Sequence, residues 1–288
     1  DYESLRQIRP DIILTASTAF GTNEAVRDRV GFDGVGQALS GAVHLAGTPD
    51  QPQKAMVPVV DFATAFCCAL GTMLALYERQ RSGMGQEVNA SLLCTGLNLS
   101  SGALIEEALL GLDRQAMLNR SPSYGPSDVF KTRDGWIITQ VIGRPMFKRW
   151  TQLVGRPEWL DDPRFGDDTA RGENGELLSD CMTQWCKDLT QAEALALLEK
   201  ARIPSSPINS PRQALQDPII QAADVIQWIY YPGASKKVPI FATPVSLSRT
   251  PPDIRQRPPL TGEHTDEILA EIGLDAQAIA GLRERCVV

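Results

Sequence analysis

Val57-Pro58-Val59-Val60-Asp61-Phe62-Ala63-Thr64-Ala65-Phe66 opens a long apolar helical pattern, with its one carboxylate at the point where the pattern begins. From Ala55 to Tyr77, Asp61 is the only acidic residue, and no basic residue accompanies it. An unpaired carboxylate in apolar surroundings must find hydrogen bonds, shift its titration or stay partly in water. Two roles fit. Asp61 can be an N-cap, accepting the free N–H groups of the helix it starts. Alternatively, the same N–H groups and the helix dipole can hold a reactive carboxylate ionised at the edge of a pocket.

Downstream, Phe62, Ala65, Phe66, Ala69, Leu70, Met73, Leu74 and Tyr77 share one helical face at i, i+3, i+4 spacing. The opposite face carries Ala63, Thr64, Cys67, Cys68, Gly71, Thr72 and Ala75, small enough for a second helix to approach closely. A helix without a charged face is expected to be central and buried. It ends at Glu78-Arg-Gln-Arg81, and Ser82-Gly-Met-Gly85 turns the chain. Upstream, Pro10 stops a first helix over 2–9. Asp11–Ser17 reads as a buried parallel strand, and Gly31–Gly41 runs into a helix of small residues. Gln86–Ala90 reads as a strand, and Ser91 opens a further helix through Leu110.

The character changes near Leu112. Asp128–Lys131 and Trp136–Val141 read as a hairpin around Arg133-Asp134-Gly135, followed by helices over 145–154, 176–187 and 191–201. The segment 203–211 reads as a linker-like return, and two short helices, 265–272 and 275–285, close the chain. The expected domain plan is a large α/β domain over 1–112, a small α+β domain over 113–225, and a return segment over 226–288 that packs on the large domain.

Bulk properties exclude several classes. A net charge of −7 with dispersed Lys and Arg argues against nucleic acid as a partner. The uncharged run from Phe62 to Tyr77 is shorter than the roughly 20 residues of a membrane span. Six cysteines without a CxxC pair point to reduced thiols in a cytoplasmic protein. With only two histidines, His44 and His264, a metal site or a histidine triad is not expected.

Several stretches, taken together and in order, resemble the family III CoA-transferases. They are Arg27-Asp-Arg-Val-Gly-Phe-Asp33, Gln37-Ala-Leu-Ser-Gly41, Val60-Asp61-Phe62, Glu78-Arg79 with Ser82-Gly-Met-Gly-Gln86, and Asn89-Ala-Ser-Leu92. Asp128-Val-Phe130, Val154-Gly-Arg-Pro157, Asp161-Asp-Pro-Arg-Phe165 and Gly262-Glu-His-Thr265 continue the match. The resemblance implies a Rossmann-like large domain, a smaller α+β domain and an interlocked homodimer. It implies a CoA-transferase that moves CoA from an acyl-CoA donor to a carboxylic acid acceptor, with the CoA thioester as substrate and no tightly bound cofactor. In such enzymes the aspartate at the position of Asp61 is the nucleophile. Phe32, Asp33, Gln37, Arg29 and Leu92 fall where substrate and CoA contacts are expected, Phe32 lining an acyl pocket, Asp33 orienting polar groups and Arg29 meeting CoA phosphates. The racemase branch of the superfamily carries a histidine at the position of Phe32. A phenylalanine cannot move protons, so transfer is expected over racemisation. Family members also have an α/β segment ahead of the position of Asp1, which gives further expectations: that this is a fragment, that another chain supplies the segment, or that this is a non-catalytic subunit. The glycine-rich lid of the formyl-CoA transferase branch has no counterpart, and Asn119–Gly125 stands in its place.

Overall fold

A computed structural model describes residues 1–288, which divide into two compact units, Asp1–Ile208 and Asn209–Val288. In the first, α1 (Tyr2–Ile8) leads to β1 (Leu14–Thr18), α2 (Asp33–Leu39) and a minimal hairpin of β2 (Gly47–Thr48) and β3 (Gln51–Pro52). Then come α3 (Val59–Ser82), β4 (Glu87–Ser91), α4 (Leu92–Leu99) and α5 (Ser101–Leu110). β1 and β4 pair in parallel, with Leu14 opposite Glu87 and Thr18 opposite Ser91. A parallel pair needs a long crossover, and α2 and α3 lie on it. The helix expected over 91–110 is two helices, broken at Ser100.

The orientation of α3 corrects the expectation of a buried helix. Its small-residue face packs on β1, β4, α2 and α4. Thr72 shares a hydroxyl hydrogen bond of 2.6 Å with Thr15 of β1. Thr64 donates to Val60 O at 2.7 Å and shares a hydroxyl hydrogen bond of 2.9 Å with Thr95 of α4. A Cβ at Gly71 would lie 2.6 Å from a methyl of Val88. These contacts need small side chains, so the small face turned inward. The large face turned out: Phe62, Phe66, Leu70, Met73, Leu74 and Tyr77 are each 58–64% exposed. At 24 residues α3 is long and apolar enough to cross a membrane by length and composition. Its last turn is tied down as well, since Arg79 donates to Asp11 O at 3.1 Å. Gly83, at φ 72°, closes the helix in the left-handed region that favours glycine.

The rest of this unit is built on β5 (Ser127–Lys131) and β6 (Trp136–Gln140), the expected hairpin, with Asp128 opposite Thr139. α6 (Arg144–Leu153), two 3₁₀ turns, α7 (Asp168–Glu173), α8 (Gly175–Cys186) and α9 (Gln191–Lys200) follow. β7 (Ser205–Pro207), expected as linker, instead adds a third strand antiparallel to Ile137–Thr139 of β6. This is the best-formed core of the chain: Ile137, Val141, Phe147, Trp150, Phe165, Leu178, Met182 and Leu198 are inaccessible to water. Phe147 and Trp150 stack at 5.6 Å, and the Trp150 indole N–H points at Met182 Sδ, 3.4 Å away. Arg171 is buried among them. It donates to Phe165 O at 2.8 Å and to Asp168, and lies over the Phe147 ring.

The second unit holds α10 (Pro211–Ala214), α11 (Pro218–Ala222), an antiparallel pair of β8 (Ile226–Ile229) and β9 (Val238–Phe241), and the closing helices α12 (Thr265–Glu271) and α13 (Ala276–Glu284). Arg257 pairs with Glu263 ahead of α12. Together with the Leu260 N–H, that pair holds the Glu263 carboxyl down at about 2.

Candidate active site

The start of α3 is not organised as the sequence suggested. The N-cap position belongs to Pro58, which has no side chain able to cap. Asp61 stands in the first helical turn, exposed, and its carboxylate accepts no hydrogen bond from the chain. The free N–H groups are satisfied from elsewhere. Asp33, at the first position of α2, places Oδ1 2.8 Å from Val60 N and 3.2 Å from Asp61 N. The capping carboxylate is thus contributed from 28 residues away. Asp61 keeps its own carboxylate next to a helix N-terminus, where the dipole favours negative charge.

Gln37 completes the arrangement. One turn along α2, it donates through Nε2 to Asp33 Oδ2, accepts from Ala55 N at 2.8 Å through Oε1, and makes a longer contact to Ala55 O at 3.4 Å. Asp33 and Gln37 are 8% and 3% exposed. Gln37 therefore faces neither a pocket nor solvent. It ties α2 to the segment that delivers Asp61. Leu92, at the first position of α4, lies against α2, and a Cβ at Gly36 would be 3.4 Å from Leu92 Cβ and O. Leu92 is thus part of the seat of α2.

Asp33, Gln37 and Leu92 gather behind Asp61, while the other two candidates do not join them. Phe32 precedes α2 and is 83% exposed. Arg29 is exposed, and its guanidinium lies 5.0 Å from the centre of the Phe20 ring. Met56, Val57, Val59 and Phe62 flank Asp61 with exposed apolar side chains. Two clefts of this unit lie away from Asp61. One of about 220 Å³ is lined by Ser40, His44, Ala103, Glu106, Leu112 and Arg114, and within it Arg114 makes a two-bonded ion pair with Glu106. The backbone of Ala55 and Val60 and the Thr64–Thr95 pair belong to the support of Asp61 but gave no signal in the sequence. Only the i, i+4 spacing of Asp33 and Gln37 on one helix could have announced their pairing.

The model of CoA-transferase family III matches residues 1–265. The chain belongs to CoA-transferase family III. Among its family relatives is the succinyl-CoA–D-citramalate CoA-transferase of Chloroflexus aurantiacus, 30% identical over the whole of this chain and 72% of that protein. The succinate–glutarate CoA-transferase of Agrobacterium fabrum is also 30% identical, over 94% of this chain and 68% of its own length. A CaiB/BaiF family protein of Brucella suis has the same fold, with a TM-score of 0.77 at 29% identity, over 94% of this chain and 71% of that one. The mixed α/β architecture is thus that of the family.

Proposed function

We propose that this family III chain is the part of an acyl-CoA:carboxylate CoA-transferase that carries the nucleophile, Asp61. The observation that carries the reading is the state of that side chain: a carboxylate in the first turn of α3, exposed, and relieved of capping by Asp33.

The Asp61 carboxylate attacks the thioester carbonyl of the donor, the C–S bond breaks, and CoA leaves as thiolate with an aspartyl–acyl anhydride formed. The thiolate then attacks the Asp61 carbonyl of that anhydride, the donor acid leaves as carboxylate, and an aspartyl-CoA thioester remains. The acceptor carboxylate attacks this thioester and expels CoA thiolate. The thiolate attacks the acceptor's carbonyl in the new anhydride, forming the product thioester and regenerating the Asp61 carboxylate. The apolar side chains flanking Asp61 disfavour water, which would hydrolyse each intermediate. Phe32 cannot transfer a proton, which supports transfer over racemisation. Phe32 and Arg29, both exposed, remain the candidates for acyl and phosphate contacts. A cytoplasmic homodimer of the family's interlocked kind completes the proposal.

Peptide mass spectrometry after incubation of the complete protein with succinyl-CoA and then other acyl-CoA thioesters tests this. A CoA adduct on the peptide containing Asp61, absent in Asp61→Ala, is expected. A folded, complete protein that gives no adduct with any acyl-CoA, or gives one equally in Asp61→Ala, would refute it.

A further inference from the structure

We propose that Asp33 and Gln37 are positioning residues for Asp61, not substrate contacts. This rests on Asp61 being the nucleophile and deepens that reading.

Consider what holds the segment that delivers Asp61. Lys54, Ala55, Met56 and Val57 are all exposed, so no core packing fixes them. Two sets of bonds from α2 do. Gln37 binds the backbone of Ala55 on one side, and Asp33 binds the amides of Val60 and Asp61 on the other. The segment is a strap fastened at both ends to one buried turn of helix. The Asp33 carboxylate is also largely used up. Oδ1 serves two amides and Oδ2 is engaged by Gln37, within a side chain almost closed to water. A carboxylate offers about four acceptor positions, and three are filled. Gln37 is equally committed, since its amide oxygen and its amide nitrogen both have partners on the chain. Neither side chain is placed to reach an acyl group, whereas both set where the Asp61 backbone starts its helix. An error of about 1 Å in the placement of a reacting group can cost on the order of 100-fold in rate.

The test uses the complete protein and follows the rate of CoA-adduct formation on Asp61 against acyl-CoA concentration. Asp33→Ala is expected to lower the rate at saturating acyl-CoA by about 100-fold while the concentration for half-saturation stays within about twofold. The deciding variant is Asp33→Ala combined with Pro58→Ser, which returns a capping hydroxyl to the N-cap position of α3 itself. It is expected to recover at least about tenfold in rate, because the missing function is a cap. A substrate contact cannot be restored that way. A rise in half-saturation at unchanged limiting rate in Asp33→Ala, or no recovery in the double variant, overturns the proposal. Should Asp33→Ala not fold, Gln37→Leu keeps the cap and frees Ala55. A fall of about tenfold in limiting rate supports the strap, and an unchanged rate overturns it. Wild-type protein that forms no adduct refutes the Asp61 reading instead, so the two failures are told apart.

Discussion

Gly96→Ala makes a demanding test of how α2 is seated. Gly96 lies inside α4, where alanine is the better helix former by about 1 kcal/mol, so local propensity alone predicts a more stable protein. The crossing with α2 predicts the opposite. A Cβ there would lie 2.9 Å from Gly36 O and 3.2 Å from Ser40 Cβ. The nearer atom is backbone and cannot swing away, and a carbon–oxygen contact relaxes only at about 3.3–3.6 Å, so α2 must retreat by roughly half an ångström. Overpacking of this kind costs about 1–3 kcal/mol, which leaves a net loss of about 0–2 kcal/mol after the propensity gain. The same retreat acts on Asp33, one turn earlier on α2. Its bond to Asp61 N is already 3.2 Å, and a further half ångström takes it past the limit of about 3.5 Å for a useful hydrogen bond. Urea unfolding and amide hydrogen exchange together provide the assay. Lower stability with faster exchange at Val60 and Asp61 is expected. A variant as stable as the parent, with unchanged exchange at both amides, would show that the crossing is soft and that α2 does not hold the start of α3.

Trp150→Ala empties the centre of the 127–207 core and is expected to lose about 3–5 kcal/mol in chemical denaturation. Asp168→Ala leaves the buried Arg171 guanidinium without its carboxylate and Gly143 N without an acceptor. About 3 kcal/mol is expected, the low end for a broken buried pair because Asp168 itself is 37% exposed. Burial pushes the Cys186 thiol up to about 12 from an ordinary 9.0. Its folded value is the higher one, so the stability it contributes is complete below pH 9.0 and lost as the pH rises toward 12. Denaturation measured on either side of pH 9.0 should show that slope in the wild type and a shallower one in Cys186→Ala.

Much of this architecture could be read from residue order. The apolar run of β1 announced a parallel strand, Gly83 ended α3, and the Arg133-Asp134-Gly135 turn announced the β5–β6 hairpin. Both faces of α3 were legible from spacing, but not which one turns inward. Periodicity separates large from small residues, while the inward face is decided by what can approach, here Val88 against Gly71 and Thr15 against Thr72. β7 was hidden because Pro204 precedes it and Pro207 is its last residue; proline is tolerated on an edge strand as well as in a linker. At the site, the family resemblance named Asp33, Gln37 and Asp61 but not that the first two bind the backbone around the third. One of the two roles read for Asp61 was its own cap, because capping is ordinarily a local matter, within three residues. A cap supplied from another helix leaves no trace in spacing, since its geometry depends on the crossing of α2 and α4.

Because the first turn of α3 is secured from α2, the identity of residue 61 carries little responsibility for folding. Replacing its carboxylate with an amide, a hydroxyl or a methyl removes no bond on which the helix depends. On the proposed reading the helix start and the chemistry belong to different side chains, so residue 61 can vary without the helix start failing. A protein whose nucleophile doubled as its cap would have to rebuild a helix start in order to change its reaction. On the proposed reading the socket stays and its occupant is exchangeable, which leaves the reaction at this position open to revision by single substitutions.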